Sequence, residues 1–213
     1  NTVAFPLAWP SDTTDYIVVG TDANGCIQTD TVNILVNLLP VVTAGSDVQI
    51  CIGDSTQLSA TGADAYVWTP NSSLINAVIP DPIALPTDTT DYVVQGVDMN
   101  GCINTDTVTV IVNPLPLADA GPNVNICEND NILLGATGGQ TYLWSPSPYL
   151  NHDTVADPLA FPDTSMMFYV QVTDSNGCIA DDSLYVTVFM IYSVEDQLIC
   201  LGDSVQLNVF GEP

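Results

Sequence analysis

The sequence contains no lysine, no arginine and one histidine, against 25 acidic residues, so its formal net charge is −25 at pH 7. A chain without cationic side chains cannot neutralise phosphate groups, and we therefore expect no nucleic acid partner and no anionic membrane surface. The same absence excludes lysine Schiff bases, P-loop lysine contacts and arginine clamps on phosphoryl groups. Most kinases, nucleoside triphosphatases and Schiff-base lyases are thereby ruled out.

Long hydrophobic runs are also absent. The longest apolar stretches, residues 34–42 and 186–192, are shorter than the roughly 18 residues of a membrane-spanning helix, so we expect no direct membrane insertion. No basic, signal-like segment opens the sequence, and its first residues fall in the middle of a repeat. We therefore expect a window from a longer polypeptide. Hydrophobic residues make up 46% and charged residues 12%, which favours a folded protein over a disordered acidic tail.

Self-comparison reveals a repeat of 76 residues. The motif Asp-x-Asn-Gly-Cys ends at Cys26, Cys102 and Cys178, and Trp68 recurs as Trp144. Short joints that contain proline separate the repeats and are expected to hold them end to end. The predicted domains are the C-terminal half of a repeat (1–39), two complete repeats (40–115 and 116–190) and the N-terminal part of another (191–213). We name these the first partial, second, third and fourth partial repeats.

Within each repeat the pattern predicts only β-strands. Short alternating segments are separated by glycine, proline, asparagine and aspartate, which favours a seven-strand immunoglobulin-like sandwich. The Asn-Gly pairs at 24, 100 and 176 stand between two strands and predict hairpins with type I′ turns. The fold class expected is therefore all-β, in tandem sandwich repeats.

Aromatic residues indicate where the core lies. Trp68 and Trp144 are expected on the third strand of their repeats, facing inward. Trp9 aligns with Leu85 and Phe161 and is also expected in the core. Tyr16 and Tyr92 each open the next-to-last strand, where a tyrosine corner would hold the preceding loop.

The motifs of the second repeat resemble a known repeat type. They read ICIGDSTQLSA from Ile50, YVWTP from Tyr66, PTDTTDY from Pro86 and VDMNGC from Val97. They resemble the immunoglobulin-like and PKD-like repeats of very large Bacteroidota surface proteins, including gliding-motility adhesins and cargo of type IX secretion. The resemblance covers essentially the whole chain and implies an extracellular, cell-surface location.

Six cysteines in an acidic, turn-rich chain indicate disulfides formed in an oxidising compartment. Cys51 is expected at one end of its repeat and Cys102 at the other, about 33 Å away along the final strand. We therefore favour an inter-repeat bond between Cys51 and Cys178. The alternative, Cys51 with Cys102 and Cys127 with Cys178, stays open because predicted strand ends shift by several residues.

No firm cofactor is expected. Calcium binds six to eight oxygen atoms, and clustered aspartates offer weak candidate ligands. The candidates are Asp88, Asp91, Asp98, Asp181 and Asp182. Solvated turn carboxylates are the alternative interpretation of all five.

Aspartate followed by serine or threonine recurs along the chain. This pattern looks like the O-glycosylation acceptor signature that Bacteroidota use on exported proteins, and the resemblance implies sugars at strand entrances. The alternative is an ordinary strand start. The candidate hydroxyls are Thr13, Thr31, Ser55, Thr89, Thr107, Thr154, Ser183 and Ser204.

No catalytic residue is predicted. His152 lies in a polar turn and occurs in one repeat only, and repeated sandwiches offer no single differentiated pocket. Paired carboxylates alone leave glycosidase chemistry possible in principle. Tyr149 and the pair Met166–Met167 are specific to the third repeat and are the better candidates for a local contact surface.

The resemblance implies a structural function. We expect a stalk or filament segment of a large cell-surface adhesin that acts as a rigid extracellular spacer. Its partners would be neighbouring repeats of the same chain and, in a filament or bundle, other copies. The alternative is an accessory immunoglobulin-like or carbohydrate-binding module of a secreted polysaccharide-degrading enzyme.

Overall fold

The computed structural model of the chain describes residues 5–193, 200, 201, 204, 206 and 209–212. The regular secondary structure of this part consists of β-strands and one 3-10 turn, Ser147–Tyr149, which confirms the all-β prediction. The chain divides into two compact units, Asn1–Ile111 and Val112–Pro213.

The first unit begins with an antiparallel hairpin of β1 (Thr14–Thr21) and β2 (Ile27–Ile34). Thr14 lies opposite Ile34, and Thr21 lies opposite Ile27. The hairpin belongs to the first partial repeat.

The second repeat contains seven strands in two sheets. One sheet has the order β3-β9-β8-β5 and the other has the order β4-β7-β6. The strands are β3 (Val48–Cys51), β4 (Thr56–Gln57), β5 (Ala65–Thr69), β6 (Leu74–Ile75), β7 (Ile83–Ala84), β8 (Thr90–Val97) and β9 (Ile103–Asn113). Alternation along the strands turns every second side chain inward, so both sheets contribute to one core. That core includes Trp68, Tyr92 and Val110 from the first sheet and Ala84 from the second.

The third repeat has a similar plan with six strands. Its sheets have the orders β10-β15-β14-β12 and β11-β13. The strands are β10 (Val124–Cys127), β11 (Ile132–Leu133), β12 (Thr141–Ser145), β13 (Leu159–Ala160), β14 (Met166–Thr173) and β15 (Ile179–Ser193). The 3-10 turn and a bridge from Leu150 to Ala160 take the place of β6, so the seven-strand prediction holds for the second repeat only.

A separate core fills the third repeat. Trp144, Phe168 and Val170 are buried in it, with Leu134 from the region of the second sheet. The inward orientation predicted for both tryptophans is confirmed, since Trp68 is 0% and Trp144 is 1% exposed. Strand β15 continues past residue 190, where the sequence predicts the next repeat, and pairs there with β16 (Val209–Glu212).

The hairpin turns differ from the type I′ prediction. Gly25 has a φ of 81°, but Asn24 has none of the positive φ that a type I′ turn requires at both central residues. Instead, Asp22 Oδ1 accepts hydrogen bonds from the N–H groups of Asn24 and Cys26, both at 2.8 Å. These N–H groups, that of Cys26 first, lower the pKa of Asp22. The aspartate side chain therefore organises a longer loop, and the motif is repeated at Asp98 and Asp174.

The position shared by Trp9, Leu85 and Phe161 is exposed, so the prediction that it belongs to the core is wrong. The three side chains are 84%, 45% and 47% exposed. Alternation explains the difference: the preceding residues Ala84 and Ala160 end β7 and β13 and point inward. The next residue must then point outward.

The predicted tyrosine corner takes another form. Tyr92 is fully buried, and its hydroxyl forms a hydrogen bond of 2.5 Å with the Ser73 hydroxyl. Ser73 directly precedes β6, whereas the loop before Tyr92 follows β7. Tyr92 therefore holds an earlier loop than predicted.

Candidate functional site

The cysteines fall into two states. Cys51 and Cys178 are the disulfide-bonded cysteines. Cys26, Cys102 and Cys127 are free thiols, so neither alternative pair, Cys51 with Cys102 or Cys127 with Cys178, is formed.

The register of the third repeat explains why a bond within one repeat fails. Cys127 ends β10 and lies beside Phe189 in the parallel pairing of β10 with β15. Cys178 immediately precedes the first residue of that strand, Ile179. Roughly ten residues at 3.3 Å per residue separate the two positions, about 33 Å and far beyond the reach of a disulfide.

The calcium candidates of the second repeat have protein partners already. Asp98 Oδ1 accepts N–H groups of Asn100 and Cys102 in the hairpin loop at 2.9 and 2.8 Å. Asp91 Oδ1 accepts the Thr109 hydroxyl at 2.7 Å, and Asp88 accepts the Thr87 hydroxyl at 3.2 Å.

The candidate pair of the third repeat is divided between two sides of a strand. Asp181 and Asp182 are consecutive in β15, so their side chains point to opposite faces. Among the described residues, no group of three or more His, Cys, Asp or Glu side chains gathers as a metal site. Calcium binding stays a prediction.

The candidate glycosylation hydroxyls lie mostly at the surface. Seven of the eight residues, all except half-buried Ser183, are exposed. The Thr13 hydroxyl also accepts the N–H of Val36 at 3.1 Å. Exposure leaves room for a sugar, and modification stays a prediction.

Two shallow depressions and the histidine lie on the described surface. One depression of about 410 Å³ lies beside the loop of the β1–β2 hairpin. The other, about 300 Å³, lies on the third repeat and is lined by residues that include Tyr169, Gln171 and Asp181. His152 is exposed, and its backbone N–H donates to Asn151 Oδ1 at 2.8 Å.

The contact surface predicted in the third repeat is only partly exposed. Tyr149 and Met166 pack against the core, whereas Met167 is 39% exposed. Met167 lies on the outer face of the four-stranded sheet, opposite Tyr185.

Sequence reasoning missed a pair of long-range contacts that recur with the repeat. Asp106 Oδ2 accepts the N–H of Ala44 at 2.8 Å, and Asp182 Oδ2 accepts that of Ala120 at 2.7 Å. The Ala44 N–H, followed by that of Thr107, lowers the pKa of Asp106. The Ala120 N–H acts first in the same way on the pKa of Asp182. Each carboxylate fastens the entry segment of its repeat to the last strand.

A second contact of this kind lies further along the same strands. Asp47 Oδ1 accepts the N–H of Thr109 at 2.9 Å, and Asn123 Oδ1 accepts that of Tyr185 at 2.8 Å. The donor and acceptor are 62 residues apart in both repeats. The 76-residue recurrence of Asp106 as Asp182 was a usable signal, whereas Asp47 recurs as Asn123, and sequence alone does not show which N–H lies opposite.

Comparisons with known proteins yield structural likeness only. No protein-family model and no curated protein matches the chain. The DIP-gamma IG1+IG2 structure is 11% identical, with coverage of 71% of this chain and 98% of that chain and a TM-score of 0.35. Sidekick-1 immunoglobulin domains 1–4 are 17% identical, with coverage of 85% and 59% and a TM-score of 0.37.

A fragment of intimin is also among the similar structures. The C-terminal fragment of intimin, solved with the intimin-binding domain of its translocated receptor, is 11% identical. The match covers 73% of this chain and 66% of that chain, with a TM-score of 0.42. The strand orders of the two sheets around one core are those of an immunoglobulin-like sandwich in the second repeat, and the third repeat has a similar plan. No helix in the described part of the chain is long and apolar enough to cross a membrane.

Proposed function

We propose that this chain is a stalk or filament segment of a large bacterial cell-surface adhesin, in which it acts as a rigid extracellular spacer. The observation that carries the proposal is the recurrence of one sandwich plan in one chain. The second and third repeats have separate cores, yet they repeat the same carboxylate contacts at Asp106 and Asp182. Repetition of whole folded modules adds length without adding a differentiated pocket.

The Cys51–Cys178 disulfide serves this function as a staple between the second and third repeats. The proposal is supported by the disulfide-bonded state of both residues and by the register that keeps Cys127 far from Cys178. By the 76-residue period, Cys102 and Cys127 occupy the positions of Cys178 and Cys51 in their repeats. Their partners would then belong to repeats outside this sequence.

Charge supports a spacer that keeps apart from its neighbours. The net charge of −25 has no internal cation to offset it, so adjacent stalks repel one another at low salt. A filament or bundle of copies therefore requires screening by salt or by divalent cations. We further propose that the adhesin is of the Bacteroidota type and is exported by type IX secretion, because the motifs of the second repeat resemble those of such proteins.

Small-angle scattering on the intact chain tests the spacer. Strands of about ten residues give each sandwich a length of about 35 Å. Repeats in single file predict a radius of gyration of at least about 25 Å, whereas a compact globule of this length has about 17 Å. A value near the compact limit would refute the proposal.

Peptide mapping without reduction tests the staple separately. A peptide that joins Cys51 to Cys178 is expected, and it should disappear on reduction. A peptide that joins Cys51 to Cys102 would contradict the staple. The spacer function would still be tested independently by the radius of gyration from small-angle scattering.

A further inference from the structure

The outer face of the four-stranded sheet differs between repeats. In the first partial repeat Asn33 donates to Asp15 across the two strands at 2.6 Å. At the same place in the second repeat Thr109 donates to Asp91 at 2.7 Å. The third repeat has Met167 opposite Tyr185 there. An exposed polar pair is thus replaced by an exposed apolar and aromatic pair.

Two more positions next to this pair also differ between the second and third repeats. Where the second repeat has Val93 and Thr105, the third has Tyr169 and Asp181. Tyr169 is 54% exposed and lies opposite a serine on each side in the sheet. On this face the third repeat has therefore gained two tyrosine rings and a methionine, and its carboxylate lies at Asp181 instead of the place of Asp91.

The new ring and the new carboxylate are neighbours. Asp181 lies opposite Gln171, two residues along β14 from Tyr169. Diagonal positions of this kind are about 7–8 Å apart, within reach of one long side chain. Both groups border the same depression, with Leu143 on its rim.

Within residues 5–193 no side chain of the protein itself complements this arrangement. No described residue donates a hydrogen bond to the Asp181 side chain, and the sequence has no lysine or arginine. A guanidinium group pairs with a carboxylate in a planar fork and also stacks on an aromatic face. The methylene groups of an arginine would lie against apolar side chains such as Leu143.

We propose that the outer face of the third repeat docks an arginine-bearing polypeptide segment of another protein, with Asp181 pairing the guanidinium group and Tyr169 stacking on it. Tyr185 and Met167 extend the contact along the segment. This goes beyond the spacer and does not depend on it.

Charge favours this partner over the other occupants. A second copy of the chain carries the same net charge of −25 and brings no arginine. An uncharged polysaccharide can stack on tyrosine. It has no charge to pair with Asp181, the carboxylate that stands where the second repeat has Thr105. A cationic segment can pair with the carboxylate at Asp181 and stack on the ring of Tyr169 at the same time.

Titration calorimetry on the intact, oxidised chain tests the proposal. The probe is a peptide of alternating glycine and arginine, with its glycine–lysine counterpart, at about 0.3 M salt to suppress diffuse attraction by the acidic chain. The variants Tyr169→Val and Asp181→Thr each install a residue that the second repeat already tolerates. Each is expected to weaken arginine-peptide binding about three-fold, and the double variant about ten-fold.

A transplant provides the matched control. The double variant Val93→Tyr with Thr105→Asp copies the pair into the second repeat and is expected to add a second binding site. Circular dichroism checks that each variant stays folded.

Three results would overturn the proposal: equal affinity of the variants and the unmodified chain, no preference for arginine over lysine, or a transplant that adds no site. If a neutral oligosaccharide such as cellohexaose binds instead, and only that binding is lost in Tyr169→Val, the face belongs to a polysaccharide and the arginine proposal fails.

Discussion

The second and third repeats share their strand register and their entry contacts, but they differ around the tryptophan and on the outer face. Both repeats have a glycine with positive φ at the same place, Gly62 and Gly138. Both bury a tryptophan opposite a valine of the neighbouring strand, Trp68 in one and Trp144 in the other. The shared contacts hold the entry segment on the sandwich, which indicates that this attachment is what the fold requires.

The surroundings of the tryptophan show what is free to vary. Trp68 Nε1 donates to the carbonyl oxygen of Ile79 at 3.1 Å. Trp144 Nε1 is buried and has no acceptor among the described residues. The nearby chain also differs, since the 3-10 turn Ser147–Tyr149 takes the place of β6. The indole hydrogen bond is therefore dispensable for the fold, although its loss has an energetic cost.

The largest effect is expected where the two repeats agree. A Cβ atom at Gly62 would lie 1.8 Å from the carbonyl oxygen of Val41, and one at Gly138 would lie 1.9 Å from that of Leu117. Gly62→Ala and Gly138→Ala should each lower the free energy of unfolding of their repeat by about 3 kcal/mol or more, because the clash adds to the strain of positive φ. Chemical denaturation measures the change.

Gly53→Ala is the matched control. Gly53 has a φ of 93°, but nothing lies within 4 Å of its Cβ position. It should lose only about 1 kcal/mol of unfolding free energy, the cost of the backbone conformation alone. Equal losses at Gly53 and Gly62 would show that the close approach to Val41 does not matter.

The next effect should separate the repeats. Trp68→Phe removes a hydrogen bond and leaves the Ile79 carbonyl oxygen without its donor, whereas Trp144→Phe removes no hydrogen bond. We expect Trp68→Phe to cost about 1.5 kcal/mol more unfolding free energy than Trp144→Phe. Chemical denaturation followed by circular dichroism, which reports the strands of both repeats, measures both variants. Equal costs would contradict the difference between the two indoles.

The smallest effect should appear in acid and be common to both repeats. The pKa values of Asp106 and Asp182 are lowered in the folded state. Their contribution to stability is therefore present above the unfolded pKa of about 3.9 and is lost as the pH falls through the lower folded pKa. The variants Asp106→Asn and Asp182→Asn should each cost about 1 kcal/mol at pH 7 and weaken the loss of stability below about pH 4.

Thermal unfolding between pH 2 and 7 measures this dependence. Asp54→Asn, a change at an exposed carboxylate, serves as the control and should leave the acid transition unchanged. If the Asp106→Asn and Asp182→Asn chains lose stability in acid as steeply as the unmodified chain, these carboxylates do not act as proposed.

Local patterns in the sequence were enough to predict the repeat, the strands and the hairpins. The β1–β2 hairpin illustrates this, since its register of Thr14 with Ile34 recurs as Thr90 with Val110. Burial is a different matter: Val18 is 61% exposed, while its counterpart Val94 is fully buried in the second repeat. Strand pairing follows from nearby residues, but burial depends on the rest of the sandwich.

Features that depend on distant or subtle contacts were not predictable. The hydrogen bond from the Ala44 N–H to Asp106 joins residues that are 62 positions apart, so no local sequence pattern identifies the donor. The outward position of Leu85 depends on one residue of register in a two-residue strand. In the hairpin loop, Asp22 Oδ1 accepts hydrogen bonds from two backbone N–H groups. These hydrogen bonds determine the turn type, against the preference of Asn-Gly for a type I′ turn.

Single-molecule stretching of the chain from its two ends tests the spacer most directly, because it measures both folded resistance and the staple. In oxidising buffer the disulfide should carry the force past the two repeats, so that the segment between Cys51 and Cys178 stays inextensible. Reduction should then release about 430 Å of additional contour length in discrete unfolding events. Smooth extension at low force, or the same contour length in both buffers, would contradict a covalently stapled mechanical spacer.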